Sequence, residues 1–179
     1  MIEKIETKRL ILRAPTIEDL NDFYNFAKKL SIGPNAGWIP HDSIEDSKEM
    51  LNVFIKSEDV WAITIKPNNI MVGTIGLHID PTINAKNAVG EIGFALDDCY
   101  WNKGYMTEAL SAVIDKAFNK YGFKKLMCGH LASNIASQKV IIKNNFKFSH
   151  IEKNKYSEIN NDDDVYMYEL LNPNLGGKQ

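Results

Sequence analysis

Glu91-Ile92-Gly93-Phe94-Ala95-Leu96 and, after residues 97–100, Trp101-Asn102-Lys103-Gly104-Tyr105-Met106-Thr107-Glu108-Ala109 form the most informative segment of this 179-residue chain. The first six residues read as a strand. From Thr107 onward Leu110, Ile114, Ala117 and Tyr121 recur at helical spacing, and Gly122 ends the run as a left-handed C-cap does. A helix that starts directly after a strand and short loop leaves its first amides without carbonyl partners, and its dipole favours negative charge there. A glycine in that loop lets a phosphate come close to the backbone, and Gly104 stands in that place with Lys103 beside it. The spacing matches neither Gly-x-x-x-x-Gly-Lys-Ser/Thr nor Gly-x-Gly-x-x-Gly, which argues against a nucleotide P-loop or a dinucleotide turn. On these residues alone, an anion-binding turn and an ordinary strand-to-helix connection are equally good readings.

Outward from this segment, Leu10-Ile11-Leu12-Arg13 is a short apolar run ended by Ala14-Pro15, a first strand. Thr16 and Asp19 have capping-box spacing ahead of a helix whose Leu20, Phe23, Tyr24 and Ala27 share one face. A loop bearing Gly33, Pro34, Gly37 and Pro40 leads to a second helix, begun by Asp42 or Ser43, that buries Leu51 and Phe54. Residues 61–65 and 71–77, joined by Pro67-Asn68-Asn69, read as a hairpin, and a loop through Pro81 leads to the Glu91 strand. Beyond the central helix come a strand over 125–130, a fourth helix over 136–144, and two strands over 146–151 and 165–171 joined by the Asn160–Asp164 turn. Helices and strands alternate in the middle while the ends are hairpins. That order predicts an α/β protein with a mixed sheet.

A single domain over residues 1–171 accounts for the pattern, and the polar, Gly-rich residues 172–179 read as a frayed tail. With 44% hydrophobic and 25% charged residues the chain has the composition of a globular protein and not of a disordered one. A net charge of −2 argues against a surface that grips nucleic acid as a whole. No run approaches the roughly 18 apolar residues of a membrane span. Met1–Glu6 lacks an apolar signal core, so the expected address is cytoplasmic. Cys99 and Cys128 form no CxxC pair, and no metal is expected. The expected state is a monomer or a homodimer.

Residues 101–109 resemble the pyrophosphate-binding loop of the GNAT acyltransferase superfamily, Gln/Arg-x-x-Gly-x-Gly/Ala. They are most similar to the branch resembling ribosomal-protein-alanine N-acetyltransferases, where Tyr-Trp-Gly-Lys-Gly-Tyr-Ala-Thr-Glu-Ala is typical. Further matches follow in order over residues 7–146. Thr7-Lys8-Arg9-Leu10-Ile11-Leu12-Arg13 resembles "TxRLxLR", Gly73-Thr74-Ile75-Gly76-Leu77 "GxIGL", and Glu91-Ile92-Gly93-Phe94 "EIGY". Asn134-Ile135-Ala136-Ser137 resembles "NxxS", and Lys143-Asn144-Asn145-Phe146 "KxGF". Three residues depart from the pattern. Trp101 replaces Gln/Arg. Met106 replaces a small residue and must point away from the phosphates. Asn145 replaces a glycine and is the next-best residue for a left-handed helix end.

The resemblance implies the GNAT fold: a mostly antiparallel sheet of six to seven strands, splayed between the fourth and fifth and flanked by about four helices. It implies acetyl-CoA as co-substrate in that splay. It also implies acetyl transfer by direct nucleophilic attack to a primary amine, either a protein N-terminus or a small-molecule amine. The alternative is a CoA-binding or regulatory module without turnover. The backbone amides of Asn102, Lys103, Gly104, Tyr105, Met106 and Thr107 would cradle the pyrophosphate, and Phe94 and Leu96 would pair strand-fashion with the pantetheine arm. Asn134 would bond the pantetheine amides or else cap a helix. Ser137 would sit near the thioester or merely start the helix, and Lys143 would reach a CoA phosphate or lie solvated. Glu91 is the general base that the resemblance suggests, its rival reading being a strand Glu paired with a lysine, and His78 is the competing base. Many family members carry an acidic tyrosine seven residues after the Asn, but Ile141 stands there, which leaves water to protonate the departing thiolate. Trp38, Asp42, Glu45, Asp46 and the Asp162–Asp164 turn either draw in a cationic amine or are solvated loops.

Overall fold

Apolar runs bounded by turn residues become the strands, as their β-branched content favours. The computed structural model describes residues 2–79, 88–153 and 163–175. Within these lie β1 (Ile5–Glu6), β2 (Leu10–Arg13), β3 (Val60–Ile65), β4 (Ile70–Ile79), β5 (Val89–Leu96), β6 (Lys125–Leu131), β7 (Lys147–Glu152) and β8 (Val165–Leu171). The helices are α1 (Leu20–Ala27), α2 (Gly33–Ala36), α3 (Ile44–Ser57), α4 (Tyr105–Asn119) and α5 (Ile135–Lys143). One sheet runs in the order β1-β2-β3-β4-β5-β6-β8-β7. Among the described residues only β5 and β6 pair in parallel. The mixed sheet is as expected, with one strand and one helix more than the sequence suggested. β1 has two residues and α2 four, too few to show a period, and the Gly33-Pro34-Asn35-Ala36 composition of α2 reads as loop.

Both faces of the sheet are covered, which is why β3 is apolar at nearly every position. Ala62, Met71 and Ala95 face α1 and α3, where Phe23, Phe26, Ala27 and Leu51 are buried. Trp61, Ile63, Val72 and Ile75 face the other way, onto Leu110, Val113 and Ala117 of α4. Two helical faces differ from expectation. In α1, Phe26 is buried in place of Tyr24, whose hydroxyl stays at the rim on Asp42 O. In α4, Val113 is buried while Ile114 is half-buried, and Tyr121 lies beyond the helix and is exposed. Gly122 does adopt the left-handed conformation, with φ +73°.

Ser43, not Asp42, caps α3: its hydroxyl accepts from Asp46 N at 3.2 Å, and the Asp46 carboxylate accepts from Ser43 N at 2.9 Å. Ser43→Ala removes one of these bonds and should lower the unfolding free energy by about 0.5–2 kcal/mol, read from denaturant midpoints. The stretch expected to fray is tied down at its start. Asn172 is buried and donates through its backbone amide to Lys124 O at 2.9 Å and through Nδ2 to Phe123 O at 2.8 Å. Residues 176–179, the Pro81 loop and most of the Asn160–Asp164 turn lie outside the described residues. Among the described residues no helix is long and apolar enough to cross a membrane.

The feature that positions the site is a divergence of strands. β5 pairs with β4 along its length, from Ile79↔Gly90 to Gly73↔Leu96. With β6 it pairs only from Val89↔Lys125 to Ile92↔Cys128. β6 turns instead toward β8, pairing out to Leu131↔Val165. From Gly93 onward the two parallel strands separate. This is the expected splay between the fourth and fifth strands, numbered one higher because β1 precedes them.

Candidate active site

The separating strands open a cleft of about 320 Å³, within the range of small-molecule sites. Phe94, Ala95 and Leu96 form one wall, the N-terminus of α4 the floor, and Asn134, Ser137, Val140 and Lys143 of α5 the opposite wall. Ser31, Ile32, Asn35 and Ala36 close the near side.

Gly104 is the N-cap residue of α4 with φ +76°, and Asn102 also takes a positive φ of 60°. The first amide of the helix to find a carbonyl is that of Glu108, on Gly104 O at 3.1 Å. The amides of Tyr105, Met106 and Thr107 therefore precede any intrahelical acceptor. Met106 is 4% exposed, its side chain packed into the core as the departure from the family pattern required. Lys103 contributes less than its position suggested, because its ammonium donates to Cys99 O at 3.0 Å and rests over the Tyr100 ring.

Other predicted residues reach the cleft with part of their capacity already used. Asn134 is the N-cap of α5, its Oδ1 accepting from Ser137 N at 3.0 Å, which leaves both Nδ2 hydrogens for a ligand. Trp101 donates from Nε1 to Leu96 O at 2.7 Å, which engages one lone pair of that carbonyl. Lys143 is exposed at the rim. Ile141 is fully buried, and Asn145 takes the left-handed conformation with φ 65°.

The two candidate bases lie outside the cleft lining, at the apex of the splay. Glu91 and His78 are register partners, their side chains on the sheet face that also carries Ala95. Glu91 is exposed. His78 is more constrained. Its Nδ1 lies 2.7 Å from Asp59 Oδ2, and its ring folds back over two glycines. Nε2 sits 2.6 Å from where a Cβ on Gly76 would be and 3.9 Å from one on Gly93. Gly93 is the first β5 residue past the last pair with β6. A carboxylate on Nδ1–H leaves Nε2 with the lone pair.

Of the residues expected to attract a cationic acceptor, Trp38, Asp46 and Asp163 are engaged structurally. Trp38 Nε1 donates to Ala27 O at 3.2 Å, Asp46 caps α3, and Asp163 accepts from Ser133 N at 3.0 Å. Sequence reasoning overlooked Lys29, which ties the near wall to the loop before Trp101 through Asp97 at 2.6 Å and Asp98 at 2.7 Å. Burial favours the neutral amine there, but the two carboxylates outweigh it and raise Lys29 above the ordinary lysine value. It also assigned no role to Thr7, Arg9 and Glu108, although all three stand inside the quoted motifs.

A family profile described as "Acetyltransferase (GNAT) domain" matches residues 9–147, and the chain belongs to that family of acetyltransferases. Uncharacterized N-acetyltransferase YoaA of Bacillus subtilis is 24% identical over 178 residues, covering 97% of this chain and 99% of its own length. The crystal structure of a GNAT-family acetyltransferase from Bacillus anthracis superposes with TM-score 0.83 at 21% identity, covering 95% of this chain and 99% of that one. Ribosomal-protein-S5-alanine acetyltransferase from Vibrio fischeri superposes with TM-score 0.75 at 20% identity, covering 96% and 97%.

Proposed function

We propose that this single-domain protein is an N-acetyltransferase that takes acetyl from acetyl-CoA and gives it to a primary amine, with no metal. The observation that carries the reading is the turn of residues 102–107, whose amides at 105–107 precede any intrahelical acceptor, at the mouth of strands that part after Ile92↔Cys128. Amides aimed at one point bind a pyrophosphate well. The amide hydrogens of 102–107 hold the phosphates, Phe94 and the Leu96 amide receive the pantetheine arm, and Asn134 Nδ2 donates to one of its carbonyls. Lys143 and Ser137 line the same path, Lys143 toward the phosphates and Ser137 toward the thioester.

When bound, acetyl-CoA supplies the acetyl group as an activated thioester. An ammonium has no lone pair, so the acceptor must give up a proton, and the chain offers a place for it at the apex of the splay. His78 Nε2, held by Asp59, is the base, and Glu91 across the register is the alternative acceptor. Ile141 supplies no acid, so the thiolate takes its proton from water; with a pKa near 8.5 by analogy with cysteine it is an undemanding leaving group.

Resemblance to enzymes that act on ribosomal-protein alanine favours a protein N-terminus as acceptor. Thiol release from acetyl-CoA should be followed against a peptide with a free N-terminus, a polyamine and an amino sugar, with ATP as competitor. The expected result is turnover with the peptide and CoA displacement by ATP only at far higher concentration. CoA binding with no thiol release against any amine would contradict the reading.

A further inference from the structure

Arg9 lies between β1 and β2, on the outer side of the turn that precedes α4, and grips it at several points. Its Nη1 donates to Lys103 O at 2.8 Å, its Nε to Glu108 Oε2 at 2.6 Å, and its own amide to Glu108 Oε1 at 2.9 Å. Thr7 Oγ1 donates to the same Oε1 at 2.6 Å, and the guanidinium stands 4.5 Å from the Tyr105 ring centroid. Burial pushes the Glu108 carboxyl up, but the Thr7 hydroxyl, the Arg9 amide and the guanidinium outweigh it and hold it below the ordinary carboxylate range.

The Lys103–Gly104 peptide is trans, so its C=O and N–H point in opposite directions. A guanidinium that holds Lys103 O on the outer side therefore turns the Gly104 N–H toward the cleft that Gly104 lines. Glu108 complements the dipole of α4 but would repel a phosphate at the same helix end, and Arg9 offsets that charge. The two acceptors, Lys103 O and the Glu108 carboxylate, are met by a planar fork, which a lysine ammonium cannot reproduce.

We infer that Arg9 is the positioning residue of the phosphate cradle, aiming the Gly104 amide into the cleft and neutralising Glu108 beside the bound pyrophosphate. This rests on the reading of residues 102–107 as the CoA cradle. The test compares two acetyl donors in each protein preparation: acetyl-CoA, and S-acetylpantetheine, which lacks the pyrophosphate. The ratio of their kcat/KM values is blind to the fraction of protein folded, because misfolding lowers both equally. Arg9→Met should cut the preference for acetyl-CoA by about ten- to a hundredfold, carried mainly by KM, as a misplaced binding group does. Arg9→Lys should recover only a small part of it. Gly104→Val, measured alongside, should lose the preference as well. If Gly104→Val loses it and Arg9→Met keeps it, the cradle stands and the role of Arg9 is overturned. If Arg9→Lys restores it fully, charge alone suffices and the aiming of the peptide is overturned. If neither Arg9→Met nor Gly104→Val changes the ratio, the cradle reading itself falls and the inference with it.

Discussion

Gly104→Val should weaken CoA binding at least tenfold, about 1.4 kcal/mol, while affinity for pantetheine stays within about twofold, since pantetheine carries no pyrophosphate to lose. The cause is local. Gly104 has φ +76°, where a β-branched residue is strained, so valine would shift the turn and with it the amides that face the phosphates. Among the described residues an added Cβ meets only Arg9 Nη2, at 3.5 Å, so the substitution crowds no core. The strain costs stability of about 1–2 kcal/mol, which a thermal melt resolves from the binding effect because the two are read separately. Calorimetry with CoA and with pantetheine settles the matter, and unchanged CoA affinity would remove residues 102–107 as the cradle.

What made this turn legible was that all of its determinants are local. Strand, loop glycine and helix start are consecutive in sequence, and their backbone consequences follow from helix geometry alone. The same holds for Asn145, whose positive φ of 65° follows from its place at a helix end, and for Met106, whose burial follows from its helical phase. Residues whose role depends on a partner far along the chain were not legible in this way. Arg9 and Glu108 are 99 positions apart, and no periodicity links them. His78 and Asp59 are 19 apart and meet only because β3 and β4 pair with Val60 opposite Gly76. Asn134 illustrates a third case. Its type and position serve a helix cap and a ligand donor equally well in sequence, and the structure commits its Oδ1 to the cap while leaving Nδ2 free. The acidic loop residues near Trp38 show that charge composition alone says little, since Asp46 Oδ2 accepts from the amides of both Asp42 and Ser43.

His78→Gln should lower the rate constant of acetyl transfer by about 10²–10⁴, the usual contribution of a general base, with acetyl-CoA affinity almost unchanged. Glutamine keeps roughly the length of the ring and a hydrogen bond to Asp59, but has no lone pair basic enough to accept a proton from an ammonium near neutral pH. Cofactor binding is spared because His78 does not line the cleft; it lies over Gly76 and Gly93, beside the apex where β5 leaves β6. Asp59→Asn gives a graded version of the same result. It removes the carboxylate that holds Nδ1 at 2.7 Å, so the ring loses its fixed tautomer and the rate falls by less than for His78→Gln. Glu91 is exposed and across the register from His78, near enough to act in its place. If Glu91→Gln produces the large loss and His78→Gln less than about threefold, the base is Glu91 and the Asp59–His78 pair shapes the face without moving a proton. If neither substitution matters, the amine arrives already deprotonated by water, and this end of the splay serves to orient the acceptor and the thioester.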